Sequence, residues 1–220
     1  MTASRLVYTA ITNGHAQLST HPDVSDTDFI CFSDTALDRD DWQIRSIEAP
    51  PQLSPRMRAK FHKLFPPTGY EWNVWIDGAY SLSTEGSASR LVDDLIEHSP
   101  SGFGLHRHHW HDCLFAEADH SMSLPKCHDQ RDIIEAQVRH YESAGHPKKW
   151  GCWAGGLMCR DGSSRVAEIM RCWWGEISRW SWRDQISLPF ALRSLDTRPD
   201  EWPWPLYHCP HVPAWHWNPT

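Results

Sequence analysis

Residues 73–78 read N-V-W-I-D-G. Val, Trp and Ile suit a pleated, buried surface, and the run stops on a lone carboxylate followed by glycine. A core strand over 72–77 has this pattern, and it would deliver Asp77 to the edge of a sheet. Working outward, L-V-Y-T-A-I at 6–11 is a β-rich run ending at the turn pair Asn13-Gly14, and F-I-C-F-S at 29–33 is a second apolar run closing on Asp34. W-Q-I-R-S-I at 42–47 alternates large apolar with polar side chains, as a half-exposed strand does. Residues 155–160 form a further strand before the Asp161-Gly162 turn.

Helical patterns fall between these strands. Residues 55–65 carry Pro at the start and Pro66-Pro67 after the end. Residues 87–97 place Leu91, Val92, Leu95 and Ile96 on one face. A short helix is expected over 111–119 and a longer one over 129–143, stopped by Gly145 and Pro147. Residues 163–180 carry Val166, Ile169, Met170, Trp173, Trp174 and Ile177 at helical spacing, and 184–194 open a last helix with Asp184 near its N-terminus. This alternation predicts an α/β domain over 1–197, with helices on both faces of a central sheet. Residues 198–220 hold many Pro and Trp, and are expected to be an irregular tail wrapped on the domain.

Composition narrows the function. With 220 residues and 40% hydrophobic content the chain can build one sizeable core. The formal net charge of −7, without a Lys/Arg block, disfavours a non-specific grip on nucleic-acid backbones. The seven cysteines form no C-x-x-C pair, and reduced thiols in a cytoplasmic protein are the simpler reading. The opening M-T-A-S-R lacks the apolar core of a secretion signal, and no apolar run nears the ~20 residues that span a bilayer.

Ligands of layered α/β sheets collect beyond the carboxyl ends of the strands. Tyr8, Thr9 and Ala10, then Asp34, then Asp77 would stand along that rim. Arg56 and Lys60, on the helix after the third strand, would meet a pyrophosphate there, together with a divalent ion held by Asp77. In S-W-R-D-Q-I-S at 181–187, Arg183, Asp184 and Gln185 fall at a helix start. Asp184 would face the sugar of a donor, orienting a hydroxyl or stabilising positive charge at the anomeric carbon. Both acids have plainer readings, Asp77 as a turn cap with Gly78 and Asp184 as an N-cap.

The motifs also carry a family resemblance. V-Y-T-A-I at 7–11, I-C-F-S-D at 30–34, R-M-R-A-K-F-H-K-L-F-P at 56–66 and W-I-D-G at 75–78 come in one order with H-x-x-H-D-C-L-F-A-E-A at 108–118, Q-V-R-H-Y-E-S-A-G-H-P at 137–147, R-C-W-W-G-E-I at 171–177 and S-W-R-D-Q-I-S-L-P-F at 181–190. The chain resembles, over about residues 6 to 194, the glycosyltransferase-like domain of the plant turgor-regulation-defect and mucilage-related proteins. The resemblance implies a single-domain GT-A (Rossmann-like) fold with a mixed, mostly parallel sheet. It also implies a nucleotide-sugar donor and Mn²⁺ or Mg²⁺ bound at Asp77. Asp184-Gln185 is similar to a pair near the donor sugar in retaining members of such folds; Glu117 joins them as a catalytic candidate, with Arg183 on the donor side. A late histidine, His208 or His211, would complete the metal sphere. Position 79 is Ala where a D-x-D motif has its second acid, and His111 stands where the family carries Arg.

The expected reaction is transfer of a hexosyl or pentosyl group to a hydroxyl on a glycan, metabolite, protein or modified DNA base. Two alternatives stand beside it: a phage-type transferase acting on hydroxylated pyrimidines in DNA, and a non-catalytic carbohydrate-binding protein using exposed Trp. The histidines of H-R-H-H-W-H at 106–111 and of the tail invite a zinc reading, but no partner pair stands at a recognisable zinc spacing.

Overall fold

The computed structural model describes residues 4–14, 16–21, 23–78, 80–81, 90–204 and 214–215. In chain order its first elements are β1 (Arg5–Ile11), β2 (Thr27–Ser33), β3 (Gln43–Ser46), α1 (Pro55–Leu64), β4 (Trp72–Ile76), β5 (Tyr80–Ser81), α2 (Leu91–Glu97) and β6 (Phe103–Arg107). There follow α3 (Leu114–Ser123), a 3-10 helix (Pro125–Gln130), α4 (Arg131–Ser143), β7 (Trp153–Asp161), α5 (Ser164–Arg179), α6 (Asp184–Ser194), β8 (Asp200–Glu201) and β9 (Ala214–Trp215).

Seven strands form one mixed sheet in the order β3-β2-β1-β4-β7-β6-β8. β3, β2, β1 and β4 run parallel, β7 is antiparallel to both β4 and β6, and β8 is parallel to β6. The sheet is buried on both faces, which is why its central strands read as continuous apolar runs. Leu6, Tyr8, Ile30, Phe32 and Trp75 pack in one layer with Leu64 of α1 and the apolar faces of α5 and α6. Their alternates Val7, Ile11, Phe29, Cys31, Val74 and Ile76 pack in the other layer with Leu91, Val92 and Leu95 of α2. Ser54 and Ser163 cap α1 and α5, accepting from the N–H of Met57 and Val166.

β6 is absent from the sequence reading. It is short, contains Gly104 and has only two large apolar residues, Phe103 and Leu105, so the ladder with β7 is what makes it a strand. The tail also departs from expectation. Rather than only wrapping the surface, it adds β8 to the sheet edge, and β9 pairs with β5. Trp202 locks β8 in place: its indole donates to Ser99 Oγ at 3.1 Å and lies over Gly104, where a Cβ would stand 2.5 Å from the indole nitrogen. The helix expected over 111–119 starts later, at Leu114, and the one over 129–143 is a 3-10 turn followed by α4. Residues 87–89 of the expected second helix lie outside the described residues. Among those described, no helix is long and apolar enough to cross a membrane, and the six cysteines are free.

Burial lowers His62, His106 and His146 from 6.5 to about 4 each. The unfolded chain takes up these protons near pH 6.5, the folded chain only near pH 4, so stability falls as pH drops through that window. Urea unfolding followed from pH 7 to 4.5 should show this loss. His106→Leu should reduce the proton uptake derived from its slope by about one.

Candidate active site

β1, β2 and β4 are parallel, so their carboxyl ends share one rim of the sheet. Asp77 leaves β4 there. β7 runs the other way and brings its beginning, Ala154-Gly155-Gly156, to the same rim, where the Asp77 N–H donates to the Gly156 carbonyl at 2.7 Å. A cavity of about 450 Å³ opens at this point, and both Asp77 and Asp184 line it. Gly155 and Gly156 form part of its wall because a side chain has no room. A Cβ on Gly155 would stand 2.8 Å from Lys63 Nζ, and one on Gly156 2.5 Å from the Tyr80 ring.

Asp184 is gripped by two lysines of α1. Lys60 Nζ lies 3.0 Å from Oδ1 and Lys63 Nζ 2.6 Å from Oδ2. The i,i+3 spacing puts both ammoniums on one face of the helix. Asp184 begins α6, and its carboxylate faces the two lysines rather than capping the helix. Its carbonyl accepts from the Trp173 indole and Ser187 Oγ, fixing the helix start. Burial alone would raise the Asp184 carboxyl; Lys60 and Lys63 instead hold it far below the usual carboxylate range. Burial opposes the Lys63 ammonium too, yet Asp184 and Asp77 hold it above its ordinary value. Lys60 is pulled down by burial, which Asp184 only partly offsets.

Asp77 differs in electrostatics. Burial pushes its carboxyl up, Lys63 and Lys60 only partly counter this, and the Asp184 charge adds to the rise. The Trp75 indole donates to its Oδ1 at 2.8 Å. A carboxylate short of positive charge suits a hard divalent cation of the kind that takes one or two carboxylates plus substrate phosphates. Asp77 offers one such carboxylate. His208 and His211 lie outside the described residues, as does Ala79.

The next stretch of the cavity is held by Glu117 of α3, itself 1% exposed. Its Oε1 accepts from Arg183 at 2.6 Å and from Ser121 Oγ at 3.3 Å. Its Oε2 faces His108 Nε2 at 3.5 Å and His111 Nε2 at 3.8 Å. Those three residues are the one cluster with metal-ligand spacing among the described residues, and two histidines with a carboxylate suit zinc by type. The hydrogen bonds of His108 oppose it. His108 Nδ1 accepts the N–H groups of Trp110 and His111 at 3.3 and 3.1 Å, which puts the ring proton on Nε2, the atom a metal would need. Burial, with His111 and His109 beside it, lowers His108 to about 3, so the ring is neutral.

Of the residues singled out from sequence, Lys60, Asp77, Glu117, Arg183, Asp184 and Gln185 line this cavity. The other five donor-side residues do not line it. The Tyr8 ring is fully buried under α1, its hydroxyl donating to the Lys63 carbonyl at 2.7 Å. Thr9 is also buried, on the opposite face of β1. Asp34 is exposed and accepts the Asn13 N–H through both oxygens, closing the turn after β1. Arg56 stacks over Trp182 at 4.0 Å. Ala10 is half-buried against the helix layer. Lys63, Gly155 and Gly156 were not anticipated, and His108 was read only among the histidines that invite zinc. The signals for them were the i,i+3 lysine pair on α1 and a Gly-Gly inside an apolar strand.

The family model "TOD1/MUCI70, glycosyltransferase-like domain" matches residues 41–207. Among solved structures, the apo form of mouse xyloside xylosyltransferase 1 is similar at 10% identity and a TM-score of 0.49, over 88% of this chain and 82% of that one. No curated protein matches the chain in sequence.

Lys63→Met would leave the buried Asp184 carboxylate with Lys60 alone. Loss of one partner from a buried ion pair costs about 3–5 kcal/mol, and urea denaturation should read a loss of that order. Lys63→Met with Asp184→Asn should lose less than the sum of the single variants, because the two residues are coupled.

Proposed function

Because the chain belongs to the TOD1/MUCI70 glycosyltransferase-like family, we propose that it moves a sugar from a nucleotide-sugar donor to a hydroxyl acceptor in the cavity shared by Asp77 and Asp184. The observation that carries this reading is that the two carboxylates open onto one space, lined also by the two lysines that bind Asp184. The diphosphate of the donor belongs at the Lys60, Lys63 and Asp77 end, where a divalent ion on Asp77 would add the positive charge that the two lysines, paired with Asp184, do not supply alone. Asp77 would hold Mn²⁺ or Mg²⁺ there together with the phosphates, and such an ion stabilises the negative charge of the departing nucleotide. Lys60 and Lys63 add fixed positive charge beside it at no reorganisation cost.

Asp184 stays ionised, since its lysines hold its carboxyl so low. A carboxylate of that kind is a weak base, and general-base work favours a group that titrates near the working pH. Asp184 therefore acts through its charge and its hydrogen bonds, orienting donor hydroxyls or stabilising positive charge at the anomeric carbon. Gln185 lies beside it, its Oε1 accepting from Arg183 at 3.3 Å, and Arg183 is fixed in turn by Glu117. Glu117 has both oxygens engaged, which suits a positioning role rather than proton transfer. A cytoplasmic setting goes with this reading, since the seven cysteines of the sequence form no C-x-x-C pair.

A thermal-shift screen against nucleotide sugars, with and without Mn²⁺, tests the donor side. A ligand at ~100 times its dissociation constant adds about 2.7 kcal/mol of stability, and Asp77→Asn should lose the Mn²⁺-dependent part of that shift. Turnover of the stabilising donor should fall by about 100-fold or more in Asp77→Asn and in Asp184→Asn. Full turnover in both folded variants would rule this reading out.

A further inference from the structure

A second cavity, of about 460 Å³, lies at the opposite end of the sheet, where β4 begins and β7 ends. Arg160 of β7 lines it and is only 1% exposed. Its contacts are neutral: Nη1 lies 2.8 Å from Met170 Sδ, and Nη2 donates to the Tyr8 hydroxyl and the Lys63 carbonyl. Its Nε has no hydrogen-bond partner in the protein, and neither has the buried Oδ1 of Asn73, its register partner on β4. Buried charges are ordinarily paired, because desolvation without a counter-ion costs several kcal/mol. Burial lowers Arg160 to about 9, and no neighbouring carboxylate counters that shift.

The surroundings select the ligand. Phe65, Pro66, Val166 and Met170 give the cavity apolar walls. The first turn of the 16-residue helix α5 borders it through Ser163, adding the positive end of a helix dipole. Asp161 and Arg171 also line it; the Asp161 carboxylate accepts the Ser163 N–H at 3.0 Å. Two arginines against one aspartate leave a single net positive charge, matched by a monoanion rather than a dianion. We propose that this second cavity binds a small organic carboxylate, its head group the counter-ion of Arg160 and its apolar body against Phe65, Pro66, Val166 and Met170. Arg160 also donates to the carbonyl of Lys63, the residue whose ammonium holds Asp184. The site is therefore linked through one residue to the candidate active site.

Calorimetric titration with sodium hexanoate tests this, with 1-hexanol, butyl phosphate and sodium chloride at matched ionic strength as controls. Hexanoate should bind saturably with one-to-one stoichiometry and raise the melting temperature. Hexanol and chloride should do neither, and butyl phosphate should bind more weakly. Arg160→Met, which puts a neutral unbranched chain at this position, should raise the hexanoate dissociation constant at least tenfold. Ala167→Phe, which adds bulk to the cavity wall from α5 and keeps Arg160, should do the same and decides the matter if Arg160→Met folds poorly. Hydrogen exchange at residues 61–65 should slow with hexanoate in the wild type and not in Ala167→Phe. Absence of saturable binding, equal binding of hexanol, preference for butyl phosphate, or binding unchanged in both variants would each overturn the proposal. None of these readouts involves a nucleotide sugar, so the result stands apart from the transferase reading.

Discussion

The buried bridge from Lys60 and Lys63 to Asp184 is the interaction on which the site depends. It ties α1, the crossover between β3 and β4, to the first residue of α6, more than a hundred residues later in the chain. Three charges in a poorly hydrated setting hold their geometry closely, because each displaced group would be left buried and unpaired. The bridge also sets the charge of its surroundings. Asp184 is held ionised, while Asp77, farther from the same ammoniums, is left short of positive charge.

Support for that bridge comes from below and from the side. Tyr8 and Arg160 both donate to the Lys63 carbonyl, fixing the last turn of α1 on the sheet. On the side, Glu117 holds Arg183 next to Asp184. α6 carries Pro189, which has no N–H to offer the Gln185 carbonyl one turn back; that carbonyl faces Cys152 Sγ at 4.0 Å instead. The start of α6 is thus held by tertiary contacts to α1, α3 and β7 as much as by its own ladder.

The reversal of direction at β7 is the topological fact that makes the cavity. A parallel strand beside β4 would bring its end to the rim next to Asp77. The antiparallel β7 brings its Gly155-Gly156 beginning there instead. Those glycines leave room for Lys63 and Tyr80 where any larger residue would collide. The same reversal carries Arg160 to the far end of the sheet, into a second cavity of opposite character.

Much of this was legible in the chain itself. The apolar runs at 6–11, 29–33 and 72–77 declare buried strands, because a sheet covered on both faces needs no polar alternation. A carboxylate directly after such a run must reach the strand end, so Asp77 was readable, and Asp184 at a helix start was readable for a similar reason. Local pattern also marked helix ends at Pro55, Pro66-Pro67 and Gly145. Tertiary structure alone decided what each residue touches. Alternation sends Tyr8 and Thr9 to opposite faces of β1, but only packing shows that both are buried rather than open to a ligand. β6 and β8 are strands because their neighbours supply hydrogen bonds that their own side chains do not advertise. The pairing of Asp184 with two lysines spans 121 residues between Lys63 and Asp184, and no periodicity of 2 or 3.6 reaches so far. Sequence pattern reports the face a residue presents; the partner on that face is set by how the layers close.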